Sequence, residues 1–238
     1  MDFKGKTALV TGASRGLGYE LSALLAKRGA NLVIAARDET SLKAAAAEFS
    51  RDAEVLAIAA DVSEDAEGIV RAGLDRFGAI DILVNNASEL GPSPMPPLAS
   101  LPWHALDRIL KVNVTAALHL TQLVLPSMLR AGAGTLVNIS SDAGVNAYPG
   151  WGGYGASKAA LEHLSRTLTA ELEGSGIRVI VVDPGDMNTR MHREAEPGVD
   201  LSHLSHPEPV AAAVLSLIDD GSIRSGRFEA QKLMHAVR

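Results

Sequence analysis

The sequence contains no cysteine, so it can form neither a disulfide nor a thiolate metal site, and the absence suits a cytoplasmic protein. Aromatic residues make up 4% of the 238 positions and include only three tyrosines, so each tyrosine calls for an explanation. No unbroken apolar run reaches the ~18 residues of a membrane span. The opening "MDFKGKTALV" goes straight into a strand-like segment, without the apolar core and small-residue cleavage site of a signal peptide. Basic residues are outnumbered, 22 Lys and Arg against 28 Asp and Glu, for a net charge of −6. That balance argues against a nucleic-acid partner, whose backbone needs a basic face.

The hydrophobic fraction of 47% and charged fraction of 21% describe a globular chain able to bury a sizeable core. Apolar, β-rich runs recur along it: "TALVTG" (7–12), "NLVIAAR" (31–37), "VLAIAAD" (55–61), "DILVNN" (81–86), "GTLVNISS" (134–141) and "IRVIVVDPG" (177–185). They are nearly continuous rather than alternating, as strands covered on both faces should be. Helical patterns lie between and after them at 17–28, 39–49, 64–77, 103–130, 154–173 and 209–218, with a last strand near 226–230. Alternation of this kind predicts an α/β fold, a single doubly wound parallel sheet of Rossmann type with helices on both faces. No linker or composition break divides residues 1–238, which reads as one domain. Two segments break the rhythm after strand ends. One is the loop 89–102, with five of the eleven prolines, and the other is the polar stretch 191–206, a candidate substrate lid. Its His192, His203 and His206 read as polar lid residues rather than metal ligands, since no regular helix is expected to fix their geometry.

"TGASRGLG" (11–18) joins the first strand to the first helix. Gly12, Gly16 and Gly18 permit a tight turn and close approach of a pyrophosphate, which the amides of Ser14, Arg15, Gly16 and Leu17 at the helix start could receive. A glycine-rich turn is weak by itself; at the first βα junction it points to a dinucleotide. An NAD-preferring site usually ends its second strand in a carboxylate. Here Arg37 stands at that end and Arg15 lies in the glycine loop. Two guanidinium groups suit a 2′-phosphate and so NADP(H) over NAD(H), although Asp38 follows directly and an arginine can be a mere surface charge.

Tyr154 and Lys158 of "YGASK" are one helical turn apart and share a face. Together with the glycine loop, Asp61, Asn85–Ser88, Asn113, Ser141 and Pro184–Gly185 followed by Thr189, they resemble the short-chain dehydrogenase/reductase family, of the compact one-domain type, in order from about residue 5 to 230. The resemblance implies hydride transfer between a nicotinamide cofactor and a ketone or secondary alcohol, a small-molecule substrate. It implies Tyr154 as general acid and base, Lys158 on the nicotinamide ribose, Ser141 on the carbonyl oxygen and Asn113 holding a relay water. A phenol has a pKa of ~10, and a neighbouring ammonium is expected to lower it. Asp61 and Val62 would border the adenine, Asn86 and Ala87 the ribose, and Pro184, Gly185, Met187 and Thr189 the nicotinamide. Ser88 stands where the family has glycine. Family members often pair the helices expected at 103–130 and 154–173, which implies a homodimer or homotetramer. A 3-oxoacyl-thioester reductase shares this core pattern, and a catalytically silent nucleotide-binding or redox-sensing protein could share the scaffold.

Overall fold

The computed structural model describes residues 3–236. Among these, seven parallel strands form one sheet in the order β3-β2-β1-β4-β5-β6-β7. They are β1 (Thr7–Thr11), β2 (Asn31–Ala36), β3 (Val55–Ala59), β4 (Ile82–Asn85), β5 (Gly134–Ile139), β6 (Ile177–Asp183) and β7 (Gly226–Glu229). The strand order reverses between β1 and β4, which opens a crevice at their C-terminal ends. Side chains leave each strand alternately to the two faces. Ala8 and Val10 join one core with Ile34, Val84 and Val182, while Leu9 joins the other with Val33, Leu83 and Leu136.

The first face is covered by α1 (Gly16–Lys27), α8 (Pro207–Asp219) and α9 (Ala230–Ala236), with α2 (Glu39–Phe49) alongside. The second is covered by α3 (Ala66–Phe77), α5 (Ala116–Ala131) and α6 (Gly152–Glu171). Two layers on a parallel sheet explain why most strands are apolar throughout. The edge strands β3 and β7 are only partly covered, and β7 carries Arg227 and Glu229.

Several elements differ from the sequence expectation. The helix expected over 103–130 is three pieces: α4 (Trp103–Leu110), a π-helical turn at Lys111–Thr115, and α5. By length and mean hydropathy, Trp103–Ala131 could cross a bilayer, a property that uninterrupted apolar runs do not reveal. Its Val112, Ala116, Leu120, Val124 and Met128 pack into the second core, so the helix is a layer of this domain. The stretch 191–206 is not wholly irregular: α7 (Arg190–Ala195) opens it, with Thr189 Oγ1 accepting from the His192 amide at 3.3 Å. Finally, α6 starts at Gly152, so Tyr154 falls in its first turn.

Candidate active site

The turn between β1 and α1 is held by residues from β4. Thr11 Oγ1 accepts from the amides of Asn86 and Ala87 at 3.0 Å each and donates to the Val84 carbonyl at 3.2 Å. The Asn86 side-chain amide donates to the Thr11 carbonyl at 2.8 Å and to that of Gly12 at 3.3 Å. Asn86 is therefore a brace for the glycine loop. Gly12 and Gly16 have φ of +67° and +59°, conformations that favour glycine. A Cβ at Gly18 would lie 2.6 Å from the Gly12 carbonyl oxygen. The start of α1 has no side-chain cap and no acidic residue in its first turn, so its free amides face a cavity of about 1030 Å³ lined by Ser14, Arg15, Gly16 and Leu17. These residues fit a pyrophosphate.

Arg37 lines the same cavity at the end of β2, with Nη1 3.3 Å from Glu89 Oε2. Asp38 turns its carboxylate to the start of α2, accepting from the Ser41 amide at 2.8 Å. The Ser41 hydroxyl and amide hold its carboxyl below the usual range. Asp61 follows β3 and accepts from the Ser63 amide and hydroxyl at 2.9 and 2.8 Å and from Arg108 Nη2. Burial favours the neutral acid, but these donors prevail and hold its pKa at about 2. Val62 is buried beside it, so this end of the cavity is lined by an apolar wall and a carboxylate already paired.

Tyr154 and Lys158 lie at the floor of the cavity, 8% and 2% exposed. Lys158 Nζ stands 5.3 Å from the Tyr154 ring centroid and donates to the Ile139 carbonyl at 2.7 Å. Burial pulls its pKa down to about 8, against the opposing charge of Glu162. The phenol departs from expectation: burial raises its pKa to about 12, with a Ser88 side-chain hydrogen bond opposing and Asp183 and Asp142 adding to the rise. The lysine does not lower it here because Lys158, with its own pKa near 8, is neutral before the phenol titrates. The Ser141 hydroxyl donates to Asp142 Oδ1 at 3.1 Å and accepts from the Ala143 amide at 3.2 Å, so this residue also caps the short 3-10 turn Asp142–Gly144.

Asn113 sits on the π turn. Its Oδ1 accepts from the Glu89 amide at 2.7 Å and the Ser88 hydroxyl at 3.2 Å, and its Nδ2 donates to the Glu89 carbonyl at 3.0 Å and to Ser157 Oγ at 2.9 Å. With two bonds at each end, the amide is saturated by protein groups. A relay water could meet this residue only at its main chain.

Pro184, Gly185, Met187 and Thr189 line the cavity beyond β6. Met187 pairs with Ser205 in an isolated parallel bridge, which brings the far end of the stretch 191–206 back beside the turn after β6. The Ser93 hydroxyl donates to the Glu194 carbonyl at 2.6 Å and ties the proline loop to α7. Trp151 packs edge-on to Tyr154, ring centroids 5.7 Å apart, and lies 6.4 Å from His192. Tyr148, whose hydroxyl donates to Asp142 at 2.6 Å, completes an aromatic wall. Glu89, Arg108, Glu162 and Arg227 shape the site and escaped the sequence reading. Only Glu162 had a local signal, one turn after Lys158 on the same helix face.

The family model for short chain dehydrogenases matches residues 6–200. The chain belongs to this family. As a short-chain dehydrogenase it is 38% identical over 192 residues to 2-(R)-hydroxypropyl-CoM dehydrogenase of Xanthobacter autotrophicus, covering 78% of this chain and 76% of that one. It is 31% identical over 225 residues to 3-oxoacyl-(acyl-carrier-protein) reductase of Vibrio cholerae, covering 91% of each. Among solved structures, a short chain dehydrogenase from Pseudomonas syringae superimposes with a TM-score of 0.89 at 32% identity, covering 96% of both chains. One from Shigella flexneri complexed with NADP gives 0.86 at 30%, covering 97% of this chain and 99% of that one. A 3-ketoacyl-(acyl-carrier-protein) reductase from Brucella melitensis complexed with NADH gives 0.86 at 30%, covering 95% and 97%. The fold and family expected from the sequence are thus shown, and the enzyme is an oxidoreductase.

Proposed function

We propose that this short-chain dehydrogenase reduces a small ketone to a secondary alcohol, or the reverse, with NADP(H). The observation that carries the reading is one continuous cavity that runs from the glycine loop and Arg37 to Tyr154 and Lys158. When bound, the nicotinamide cofactor supplies or takes the hydride, and its oxidised ring adds a positive charge. Gly12, the α1 amides and Arg15 bind the pyrophosphate, and Arg37 receives the 2′-phosphate in place of Glu89. Lys158 holds the nicotinamide ribose. Ser141 releases Asp142 to donate to the carbonyl oxygen, where negative charge grows. Tyr154 then donates the proton at that oxygen. A phenol near pKa 12 is fully protonated at neutral pH, the form that reduction needs; the reverse reaction needs the positive charge to bring that value down. Residues 1–238 act as one domain, with 191–206 as the substrate lid.

NADPH oxidation with cyclohexanone, 2,3-butanedione, ethyl acetoacetate and acetoacetyl-CoA tests this reading. Turnover by the wild type, its loss in Tyr154→Phe and retained NADPH binding by that variant are expected. Unchanged turnover in Tyr154→Phe overturns the tyrosine assignment. Arg37→Asp should narrow the gap between NADPH and NADH, and equal efficiency with both cofactors in the wild type rejects the NADP(H) preference. Similarity to the Vibrio reductase over nearly the whole chain favours one second reading, a 3-oxoacyl-thioester reductase. Activity confined to acetoacetyl-CoA would select it. Binding of NADPH without turnover of any carbonyl would select a silent nucleotide-binding protein.

A further inference from the structure

Behind the active-site floor lies a second set of charges that the chemistry above does not use. Glu162 is 3% exposed and stands one helical turn after Lys158. Its Oε1 accepts from the Ser140 hydroxyl at 2.6 Å and from Arg227 Nε at 2.9 Å. Arg227, on β7, reaches on to Asp183 Oδ2 at 3.1 Å. The other oxygen of Asp183 accepts from the Gly185 amide at 2.9 Å. Ser140 separates Ile139, whose carbonyl receives Lys158, from Ser141. One buried carboxylate therefore ties α6 to the end of β5 and, through Arg227, to the Pro184–Gly185 turn after β6. Burying two carboxylates is costly unless each is paired, and Arg227, itself partly exposed, supplies that pairing, which makes this an expensive way merely to fill space.

We infer that Glu162, held by Ser140 and Arg227, is a positioning residue: it supports the charge of Lys158 and fixes the strand ends between which cofactor and carbonyl meet. The inference rests on the proposed roles of Lys158 and Tyr154. The titratable groups around Lys158 are few. Tyr154 and Glu162 come from its own helix, as does Arg166, whose Nη1 lies 3.8 Å from Glu162 Oε2, with Asp142 from the turn after β5, Asp183 from β6 and Arg227 from β7. The π turn presents the neutral Asn113, and Arg108 of α4 is engaged with Asp61. Burial disfavours the ammonium, and Glu162 is the opposing charge that favours it. Its loss lets Lys158 shed its proton at lower pH, which also weakens its hold on the ribose.

The test compares Glu162→Gln and Glu162→Met with Glu162→Asp, which keeps the charge. The neutral variants should shift the alkaline limb of the kcat/KM profile for NADPH-dependent ketone reduction downward by about one pH unit. NADPH titrations without substrate should match wild type near pH 6 and weaken about one pH unit earlier as pH rises. Glu162→Asp should keep the limb near its wild-type position while lowering kcat through poorer placement. The two neutral variants give independent readings if one folds poorly, and the titration needs no turnover. An unmoved limb with a uniform loss of rate, or an equal shift in Glu162→Asp, overturns the inference. Tyr154→Phe reports separately on the proposed chemistry: its retained turnover would reject the general acid, whatever Glu162 does.

Discussion

Lys158 shows what function costs at the scale of one residue. A buried ammonium with a pKa near 8 destabilises the fold whenever it is charged, because the unfolded chain carries the same charge in water at a pKa of ~10.4. The folded value is below the unfolded one, so stability rises with pH between the two. Lys158→Met should therefore abolish turnover yet stabilise the protein at neutral pH, by on the order of 2 kcal/mol after allowance for the lost bond to Ile139. Denaturant unfolding should show this gain in full below about pH 8 and show it fading towards the unfolded lysine value. A destabilised variant at neutral pH would mean that the hydrogen bond outweighs the buried charge. Tyr154 is the counterpart. Its spacing to Lys158 is legible in "YGASK", but its raised pKa depends on burial and on Asp183 and Asp142, which no local pattern brings near.

At the scale of elements, the long apolar pattern over 103–130 has the right period for a helix and gives no sign of the π turn within it. That turn inserts extra backbone where Asn113 must face both the Glu89 main chain and Ser157, as π-bulges at functional sites often do. Arg108, on the preceding α4, fastens this layer to Asp61 at the end of β3. The folded pKa of Asp61, about 2, lies below the ordinary ~3.9. The stability it lends is present above that ordinary value and is lost as pH falls towards 2. The pair is part-buried, with side chains 35% and 23% exposed, and the solvent that still reaches it keeps its worth below about 1 kcal/mol. Arg108→Gln should lower stability by less than that at neutral pH, and thermal unfolding of variant and wild type should converge in acid. A constant difference down to pH 2 would assign the loss to packing of the arginine stem instead. The proline loop and α7 behave likewise: their polarity is plain in sequence, but the Ser93–Glu194 and Met187–Ser205 links are decided by which strand ends lie side by side.

For the whole molecule, exposed apolar groups remain on the helical face that bears α4 and α5. Trp103 is 76% exposed and Leu129 48%, large side chains that water solvates poorly. The homodimer or homotetramer implied by family resemblance would cover this face. Light scattering should then give a mass of two or four chains, reduced by Trp103→Glu. A monomer at every concentration would leave the face to another role.

The sequence by itself determined the sheet and the glycine loop, because burial on both faces writes itself as apolar runs and a tight turn needs glycine, while family resemblance marked Ser141, Tyr154 and Lys158. Only the tertiary structure decided that Asn86 braces the loop, that Arg37 meets Glu89 and that Glu162 joins Arg227 behind Lys158. Those contacts span 52 to 75 residues of chain. They exist because parallel strands set distant positions side by side at one edge, and no local pattern encodes which partners will meet there.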